Sequence, residues 1–358
     1  MGVIGGSLGL GVRLGRRLPA WKVVAYDREF ARAEQAVALG AADRAAASLE
    51  EAVRDAELVV AAVPAESVVP LLRQAAQAAP VEAVFTDVAS IKEPIVQALG
   101  SRMPRGQWFV GGHPMAGSER SGLAGADPFL FENAVYVLTP SQEVPAHAID
   151  RVKELVRALG AHAICMPARE HDEAAAAASH LPHLVASCLV LGAARLADQG
   201  VPVWNLAAGG FRDATRMALG SEAVWWPILS MNRRGIALAL EAFQQALDEA
   251  SRAVREGDEE SLRSLLRRAR ELRGQLRLHP KGYGFPLWDV VVRVEDRPGA
   301  IHDVTAVLAK AAVNIADIEI LRAREGEAGT LRLGFDSEAR MRQALKLLRD
   351  AGWAAWER

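Results

Sequence analysis

The chain has 358 residues, 51% of them apolar, and a formal net charge of −2 at pH 7. This length exceeds one ordinary hydrophobic core and predicts two or three domains. The near-neutral charge provides no basic field for nucleic acid, and no run of about 18 uncharged apolar residues predicts a membrane span. The composition favours a soluble protein that acts on a small molecule.

The two cysteines, Cys165 and Cys188, stand singly in apolar surroundings. This usage predicts two core residues in a reducing compartment and argues against a disulfide scaffold or a thiolate metal site. The arginines near the start follow the first apolar run, whereas a signal peptide has its basic residues before that run. We therefore expect a cytoplasmic protein.

A glycine-rich turn that runs into a helix opens the chain at 1–18, and a short strand at 22–27 ends in an acid. Glycines let a backbone approach a pyrophosphate, a helix N-terminus offers it N–H groups, and an acid about 20 residues later binds ribose hydroxyls. The predicted dinucleotide-binding residues are Gly2, Ile4, Gly5, Gly6 and Asp27. The acid favours NAD over NADP, although Arg28 beside it keeps NADP as an alternative.

The start of the chain departs from the usual dinucleotide-binding pattern. Such a fold needs a central strand before the glycine turn, but this sequence begins inside the turn, without that strand or the first glycine. We expect the natural protein to start upstream of Met1, with about 10 further residues that encode an apolar strand.

Helices and strands then alternate along the chain. Apolar strands are predicted at 58–63, 83–88, 108–111 and 134–138, and helices at 31–39 and 68–78. Strands buried on both faces and separated by helices predict an α/β domain at 1–168 with a doubly wound, Rossmann-type parallel sheet. Ligands of such sheets bind at the loops beyond the carboxyl ends of the strands.

Two candidate catalytic side chains follow predicted strands of this sheet. His113 lies in GGHPMAGSERSG at 111–122, and Ser90 lies in DVASIK at 87–92. Both loops are expected at the same edge of the sheet, and histidine is the side chain whose pKa suits proton transfer near neutrality. The structural alternatives are a histidine that caps a tight turn and a serine that caps the following helix.

From about residue 169 the pattern changes to consecutive helices, predicted at 174–196, 237–254 and 261–276. The first contains SHLPH at 179–183, whose two histidines face nearly the same way, with Pro182 kinking the helix between them. We interpret this motif as a polar site in an apolar helix, and we expect no zinc, because no third ligand lies at motif spacing.

The same helical domain, at 169–280, has two further features. GGFRDATR at 209–216 is predicted to be a loop whose arginines either pair with local acids or clamp a carboxylate. The domain also has more apolar faces than one sheet domain can cover, which predicts a homodimer with interlocked helices.

The Pro- and Gly-rich stretch at 279–286 predicts a linker. Beyond it, at 287–358, the pattern is that of a ferredoxin-like βαββαβ domain. Its predicted strands are 288–294, 314–321, 329–335 and the last residues, and its predicted helices are 300–311 and 339–351.

In order and spacing, VIGGS at 3–7, DVASIK, GGHPMAGSERSG, SHLPH and GGFRDATR resemble the motifs of prephenate dehydrogenases that carry a C-terminal ACT domain. The resemblance covers essentially the whole chain. It implies oxidative decarboxylation of prephenate to 4-hydroxyphenylpyruvate in tyrosine biosynthesis, with hydride transfer to NAD. His113 would accept the proton of the ring hydroxyl, and Ser90 would hydrogen-bond that hydroxyl and His113. His183 would contact the substrate, and Arg216 would hold a carboxylate.

The resemblance also implies residues around the pocket and in the regulatory domain. Glu119 and Asp213 match acidic positions of the family's gate around the pocket. The implied binding residues for an amino-acid effector, expected to be tyrosine, are Asp296, Pro298, Gly299, Ala300, Ile301 and Asn314.

Two alternatives compete with this function. An enzyme of the same class would use arogenate, since the motifs do not separate the two substrates. A regulatory protein would bind nucleotide and amino acid without catalysis, but the joint presence of His113, Ser90, His183 and Arg216 argues against it.

Overall fold

The computed structural model describes residues 1–14, 21–100, 103–104, 106–117, 122–275, 287–295, 297–321 and 329–357. These residues form two compact units, Met1–Arg270 and Glu271–Arg358. Two predicted site residues, Glu119 and Asp296, and the predicted linker at 279–286 lie outside the described residues.

The first part of the larger unit alternates helices and strands. In chain order its elements are α1 Val3–Leu14, β1 Val24–Ala25, α2 Phe30–Ala38, β2 Arg44–Ala45, α3 Leu49–Val53, β3 Leu58–Ala61, α4 Ala65–Ala78, β4 Val84–Asp87, α5 Glu93–Leu99, β5 Trp108–Pro114, β6 Val135–Pro140, α6 Ala146–Ala158 and β7 His162–Cys165. Each element predicted in this part is present. Strand β7 was not predicted; its apolar run is only three residues long within the strand, and most of its residues are exposed.

The main sheet has the strand order β3-β4-β5-β6-β7, and β1 pairs with β2 in a separate two-stranded sheet. Strands β3, β4 and β5 are parallel, whereas β5 and β6 are antiparallel. The Rossmann-type class is confirmed, and the antiparallel pair is a departure from the all-parallel prediction. Among the described residues that join β5 to β6 there is one 3-10 turn, Leu123–Gly125, and antiparallel neighbours need no helical crossover.

Strand β5 runs further than predicted and includes His113. It pairs with β6 so that His113 lies opposite Val137. The glycines before it reflect close packing, because a Cβ on Gly111 would lie 2.4 Å from Oγ1 of Thr139, and one on Gly112 would lie 2.6 Å from the backbone oxygen of Asp87. His113 is therefore held by a sheet and not by a loop.

Helices cover both faces of the main sheet. On one face, α4 and α5 pack against β3, β4 and β5 around the buried Phe85 and Phe109. On the other face, α6 packs against β5 and β6 around the buried Tyr136 and Val152. The core thus fixes the carboxyl ends of β4 and β5, where the predicted site residues lie.

Helices make up the rest of the larger unit. They are α7 Ala168–Ala175, a π-helical turn Ala176–His180, α8 Leu181–Asp198, α9 Val203–Leu206, α10 Gly209–Thr215, a 3-10 turn Arg216–Leu219, α11 Glu222–Met231, α12 Arg233–Glu256 and α13 Glu259–Gln275. The π-helical turn ends two residues before Pro182, which has no N–H to donate. The prediction of a loop at 209–216 was wrong, because the two glycines stand at the start of α10, where N–H groups need no intrahelical partner.

The apolar character of α8 reflects an exposed face and not a core. The helical stretch Ala168–Asp198 is long and apolar enough to cross a membrane. This is only weak evidence for a membrane span, because the core helices of soluble proteins pass the same test. Leu189 and Leu191 of α8 are exposed. Cys188 and Cys165 are exposed as well, so the prediction that both cysteines belong to the core was wrong.

The smaller unit confirms the predicted βαββαβ order. Its elements are β8 Trp288–Val294, α14 Ala300–Lys310, β9 Asp317–Leu321, β10 Gly329–Phe335, α15 Glu338–Asp350 and β11 Ala355–Glu357. The strand order is β11-β8-β10-β9, with antiparallel neighbours throughout. Gly299 has a φ of 88°, which lets the chain turn into α14.

Candidate active site

Strand β5 and helix α7 bring two histidines and a carboxylate into one line. Nδ1 of His113 lies 2.8 Å from Nε2 of His171, and Nδ1 of His171 lies 2.7 Å from Oδ1 of Asp172. His171 is 3% exposed and Asp172 is 2% exposed, while His113 is half-buried. Within the described part of the chain, Nε2 of His113 has no hydrogen-bond partner.

Asp172 is anchored to the first turn of α5. Its Oδ1 accepts a hydrogen bond from the backbone N–H of Lys92 at 2.7 Å, and its Oδ2 accepts one from that of Glu93 at 2.8 Å. A carboxylate at a helix N-terminus satisfies unpaired N–H groups and is stabilised by the helix dipole. These bonds fix α7, and therefore His171, against the end of the sheet.

A buried ion pair holds β4 and β5 together beside His113. Lys92 and Asp87 are fully buried, and Nζ of Lys92 donates to the Asp87 carboxylate and, at 2.7 Å, to the carbonyl oxygen of Gly112. Burial lowers the pKa of Lys92 from its ordinary value, and the Asp87 charge opposes that shift. The backbone N–H of Gly112 donates a hydrogen bond to Oδ1 of Asp87 at 3.1 Å. The pair therefore fixes the backbone next to His113.

His113 is a neutral imidazole in this environment. Burial lowers its pKa well below the ordinary value, and His171, Lys92 and His180 shift the pKa in the same direction. A neutral imidazole has one N–H and one lone pair. His113 is thus able to act as a proton acceptor at neutral pH.

A second group of buried side chains surrounds the start of α8. The ring of His183 stacks on Trp225 with centroids 3.8 Å apart, and His180 contacts the same indole edge-on at 6.3 Å. Nδ2 of Asn232 donates to the carbonyl oxygen of Asp172 at 2.7 Å and lies 3.2 Å from Nδ1 of His180. The two groups of side chains are therefore joined through Asp172 and Asn232.

The histidines of α8 and the preceding turn are also neutral at pH 7. Burial lowers the pKa of His180 to about 4, against the opposing charge of Asp172. Burial lowers the pKa of His183, against a hydrogen bond with the backbone of Met217. Nδ1 of His183 is buried and, within the described residues, has no hydrogen-bond partner. That nitrogen is a polar atom available to a ligand.

The other predicted substrate residues lie at differing distances from these groups. Ser90 is half-buried in the loop between β4 and α5 and, as far as the chain is described, makes no hydrogen bond to His113. Arg216 is exposed at the start of the 3-10 turn, which packs beside α8. Asp213 is exposed in α10. The structure therefore links His113 to His180, next to the start of α8, through His171, Asp172 and Asn232. Arg216 and Asp213 lie at the surface of this chain.

The predicted dinucleotide residues lie around the start of α1 and the end of β1. Gly2 is exposed with open space beside it, whereas a Cβ on Gly6 would lie 2.5 Å from Cδ1 of Leu123. The first backbone hydrogen bond of α1 runs from Gly6 to Gly2, so the N–H groups before Gly6 have no helical partner among the described residues. These features fit a pyrophosphate at the start of the helix.

Asp27 provides an ionised carboxylate after β1. Burial raises its pKa, but the hydrogen bonds and charges around it outweigh burial, so the pKa lies below the ordinary value. The carboxylate accepts a hydrogen bond from the N–H of Glu29 at 2.9 Å. An acceptor of this kind suits ribose hydroxyls.

Sequence reasoning did not identify several residues of the site. Lys92 lies in DVASIK and His180 lies in SHLPH, but the predicted roles in these two motifs were assigned to Ser90 and His183. His171 and Asp172 lie in AREHDEAA, whose charges are typical of a solvated helix face. Because the partners of His171 and Asp172 are 58 and 80 residues away in sequence, no local spacing reveals them.

Comparison with known proteins adds family evidence. Residues 10–165 match the model of the prephenate dehydrogenase nucleotide-binding domain, residues 167–268 match that of the prephenate dehydrogenase dimerization domain, and residues 288–345 match the ACT domain. The chain is 36% identical over 339 residues to a prephenate dehydrogenase of Bacillus subtilis, covering 94% of this chain and 91% of the relative.

Solved structures show the same likeness. A prephenate dehydrogenase of Aquifex aeolicus, in complex with hydroxyphenyl propionate and NAD+, superimposes with a TM-score of 0.70 at 28% identity, over 77% of this chain and 95% of that chain. A Synechocystis arogenate dehydrogenase superimposes with a TM-score of 0.66 at 29% identity, over 76% of this chain and 96% of that chain.

Proposed function

Because the chain belongs to the prephenate dehydrogenase family, we propose that it converts prephenate and NAD to 4-hydroxyphenylpyruvate, carbon dioxide and NADH. The observation that carries the proposal is the neutral His113, whose Nδ1 is held by His171 and whose Nε2 has no partner among the described residues. That nitrogen is the proton acceptor that the oxidation of an alcohol needs.

In the proposed mechanism the chain moves one proton and positions the reacting groups. Nε2 of His113 accepts the proton of the ring hydroxyl, and Ser90 donates or accepts a hydrogen bond at the same hydroxyl. When bound at the proposed site, NAD would supply the hydride acceptor for the oxidation of the carbinol carbon. As the bond to the ring carboxylate breaks, its electron pair enters the ring and carbon dioxide leaves. The ring becomes an aromatic phenol, whose oxygen takes back the proton held by His113. Aromatisation favours the step, so positioning is the main task of the protein.

Four residues are proposed to contact the substrate or line its entrance. His183 has the strongest support, because it is 7% exposed and its Nδ1 is buried without a partner in the described residues. Buried polar atoms are almost always hydrogen-bonded, so a substrate oxygen or a water molecule is expected there. Arg216 is assigned to a substrate carboxylate, and Glu119 and Asp213 to the entrance, by the family motifs.

The proposed NAD site uses the start of α1. Open N–H groups and the exposed Gly2 would face the pyrophosphate, with Ile4, Gly5 and Gly6 keeping the helix close to the sheet. The Asp27 carboxylate would accept hydrogen bonds from the ribose hydroxyls, which favours NAD over NADP.

The substrate is tested by steady-state assays of prephenate and arogenate, each with NAD and with NADP. We expect turnover of prephenate with NAD, measured as NADH absorbance. Turnover of arogenate alone would assign the chain to the arogenate alternative, which the Synechocystis structure represents. Absence of turnover with either substrate, together with binding of NAD, would favour the non-catalytic regulator.

Arg216→Ala should raise KM for prephenate by roughly 10- to 100-fold and lower kcat much less. A guanidinium facing a carboxylate contributes about equally in the ground state and the transition state, so its loss weakens binding. Arg212→Ala, in the same exposed segment, is the matched control. An unchanged KM with a lower melting temperature would show that Arg216 instead pairs structurally, with Asp213.

The helical region should form a homodimer in solution, as its match to a dimerization-domain model suggests. Leu206 is 82% exposed, Leu219 is 88% exposed and Trp226 is 67% exposed. Burial of such side chains stabilises association at about 25 cal/mol per Å². Light scattering should give twice the chain mass, and Leu206→Glu should lower it. Val81→Glu, on an exposed turn of the sheet region, should have no effect, and a monomeric wild type would reject the dimer.

Tyrosine should inhibit the enzyme by binding the ACT-like domain. Gly299 turns the chain into α14, Ile301 is exposed beside it, and Asn314 is exposed in the loop before β9. The proposed site also includes Asp296, Pro298 and Ala300. Asn314→Ala should raise the half-inhibiting tyrosine concentration by about tenfold, the effect of one lost hydrogen bond. Gln343→Ala on α15 is the control, and a rate insensitive to tyrosine would reject the proposal.

The domain bounds at 1–168, 169–280 and 287–358 are retained as part of this proposal. The three matching family models, at 10–165, 167–268 and 288–345, support this order of domains. A cytoplasmic location is proposed on the same family basis.

A further inference from the structure

We infer that His171 and Asp172 are positioning residues that hold His113 in the tautomer with a proton on Nδ1 and a lone pair on Nε2. The inference rests on the proposed role of His113 as the base. It adds two residues to the reaction that the family motifs quoted above do not contain, and it gives each of them a task that is separate from binding or stability.

The hydrogen-bonding capacities of the three side chains fix the direction of each bond. A carboxylate only accepts, so Nδ1 of His171 must donate to Oδ1 of Asp172 across 2.7 Å. With that single proton on Nδ1, the His171 ring has only a lone pair on Nε2. The contact of 2.8 Å with His113 therefore needs a proton on Nδ1 of His113. Neutral His113 carries one proton, so its Nε2 is left as the acceptor.

The hydrogen bonds that hold Asp172 also fix the direction of its hydrogen bond with His171. Its two oxygens accept backbone N–H groups from Lys92 and Glu93, which lie at the start of α5 and cannot reverse as donors. Asn232 holds the backbone carbonyl of the same residue at 2.7 Å. Rotation of the carboxylate would break these bonds in a buried place, where unsatisfied groups cost about 1–3 kcal/mol each.

The competing arrangement is a charged His171 that donates from both nitrogens and so reverses His113. The titratable groups packed around the two rings are Lys92 and Asp87 from β4 and the following loop, Asp172 from α7, and His180 from the π-helical turn. Asp87 is already paired with Lys92, and Asp172 already accepts two N–H groups. A charged His171 would add a second buried cation next to Lys92, which is unfavourable in a low dielectric.

The first test reads the tautomer directly, without substrate or cofactor. Full-length protein labelled with 15N-histidine is studied by NMR at a pH above the ordinary range of histidine, and the His113 signals are assigned by their loss in His113→Asn. We expect a protonated Nδ1 and an unprotonated Nε2 on His113. A protonated Nε2 would overturn the inference and leave the proposed function standing. Absence of prephenate turnover in wild type would reject the function, whatever the NMR result.

The second test compares His171→Met with His171→Gln. The glutamine oxygen is able to accept from Nδ1 of His113, whereas methionine offers no comparable acceptor. We expect kcat to fall about 10- to 100-fold in His171→Met, by analogy with the loss of the outer hydrogen-bond partner of a metal-bound histidine. Most of that loss should be recovered in His171→Gln. KM for NAD should not change.

Two further readouts separate positioning from stability. Val152→Ala, a cavity variant under the same sheet, shows what loss of stability alone does to kcat. The loss of kcat in His171→Met should persist to high pH, because the two tautomers of neutral His113 carry the same number of protons and their ratio does not depend on pH. The inference would be overturned by equal kcat in His171→Met and His171→Gln. It would also be overturned if the loss of kcat in His171→Met equalled that of Val152→Ala at the same melting temperature, or if that loss vanished at high pH.

Discussion

His113→Asn should lower kcat by about 10²-fold or more, the range of a lost general base, while NAD binds nearly as in wild type. The asparagine amide is able to donate to Nε2 of His171 in place of Nδ1, so the buried contact survives and the fold is kept. It has no basic nitrogen for the substrate hydroxyl. The measurement is steady-state kinetics with prephenate, together with a fluorescence titration of NAD.

His162→Asn is the matched control for this experiment. His162 lies in β7, the edge strand of the same sheet, where it is exposed and separated from β5 by β6. Its replacement should leave kcat within about twofold of wild type, as expected for a surface change of small energetic effect. A His113→Asn variant with near wild-type kcat would remove His113 from the mechanism.

The sequence was a good guide to the fold where hydrophobic pattern and packing agree. Strand 58–61 is an apolar run because helices cover both faces of the sheet, and that burial is visible in composition. The same logic failed at the glycines before His113, which were taken for the end of the strand. They are small because Thr139 and the backbone of Asp87 come close, a cause that only tertiary contact reveals.

The site was only half visible in the sequence for a related reason. His113 and His183 stand out as polar residues in apolar or small surroundings. His171 and Asp172 are hidden among charges, and what makes them special is burial against α5, which lies far away in sequence. Cys165 and Cys188 show the opposite error, since their apolar neighbours belong to an edge strand and to an exposed helix face.

Lys92→Met should lower the free energy of unfolding of the larger unit by about 3–5 kcal/mol, the usual effect of removing one partner of a buried ion pair. Asp87 would keep its hydrogen bonds from Ala89 and Gly112 but lose the cation that compensates its charge. Gly112 would also lose the donor at its carbonyl oxygen. Denaturant unfolding of wild type and of Lys92→Met, followed by tryptophan fluorescence, measures this difference in the free energy of unfolding.

The control and the double variant decide whether charge is the cause. Lys153→Met removes an exposed lysine that lies 3.8 Å from Asp150, and it should cost less than about 1 kcal/mol. Lys92→Met combined with Asp87→Asn should recover a large part of the loss, because no uncompensated charge is left buried. If the double variant is as unstable as Lys92→Met, packing and the hydrogen bond to Gly112 explain the loss. If Lys92→Met is as stable as wild type, the pair does not hold β4 and β5 together. The position of His113 then depends on the pairing of β5 with β4 and β6 and on the contact with His171.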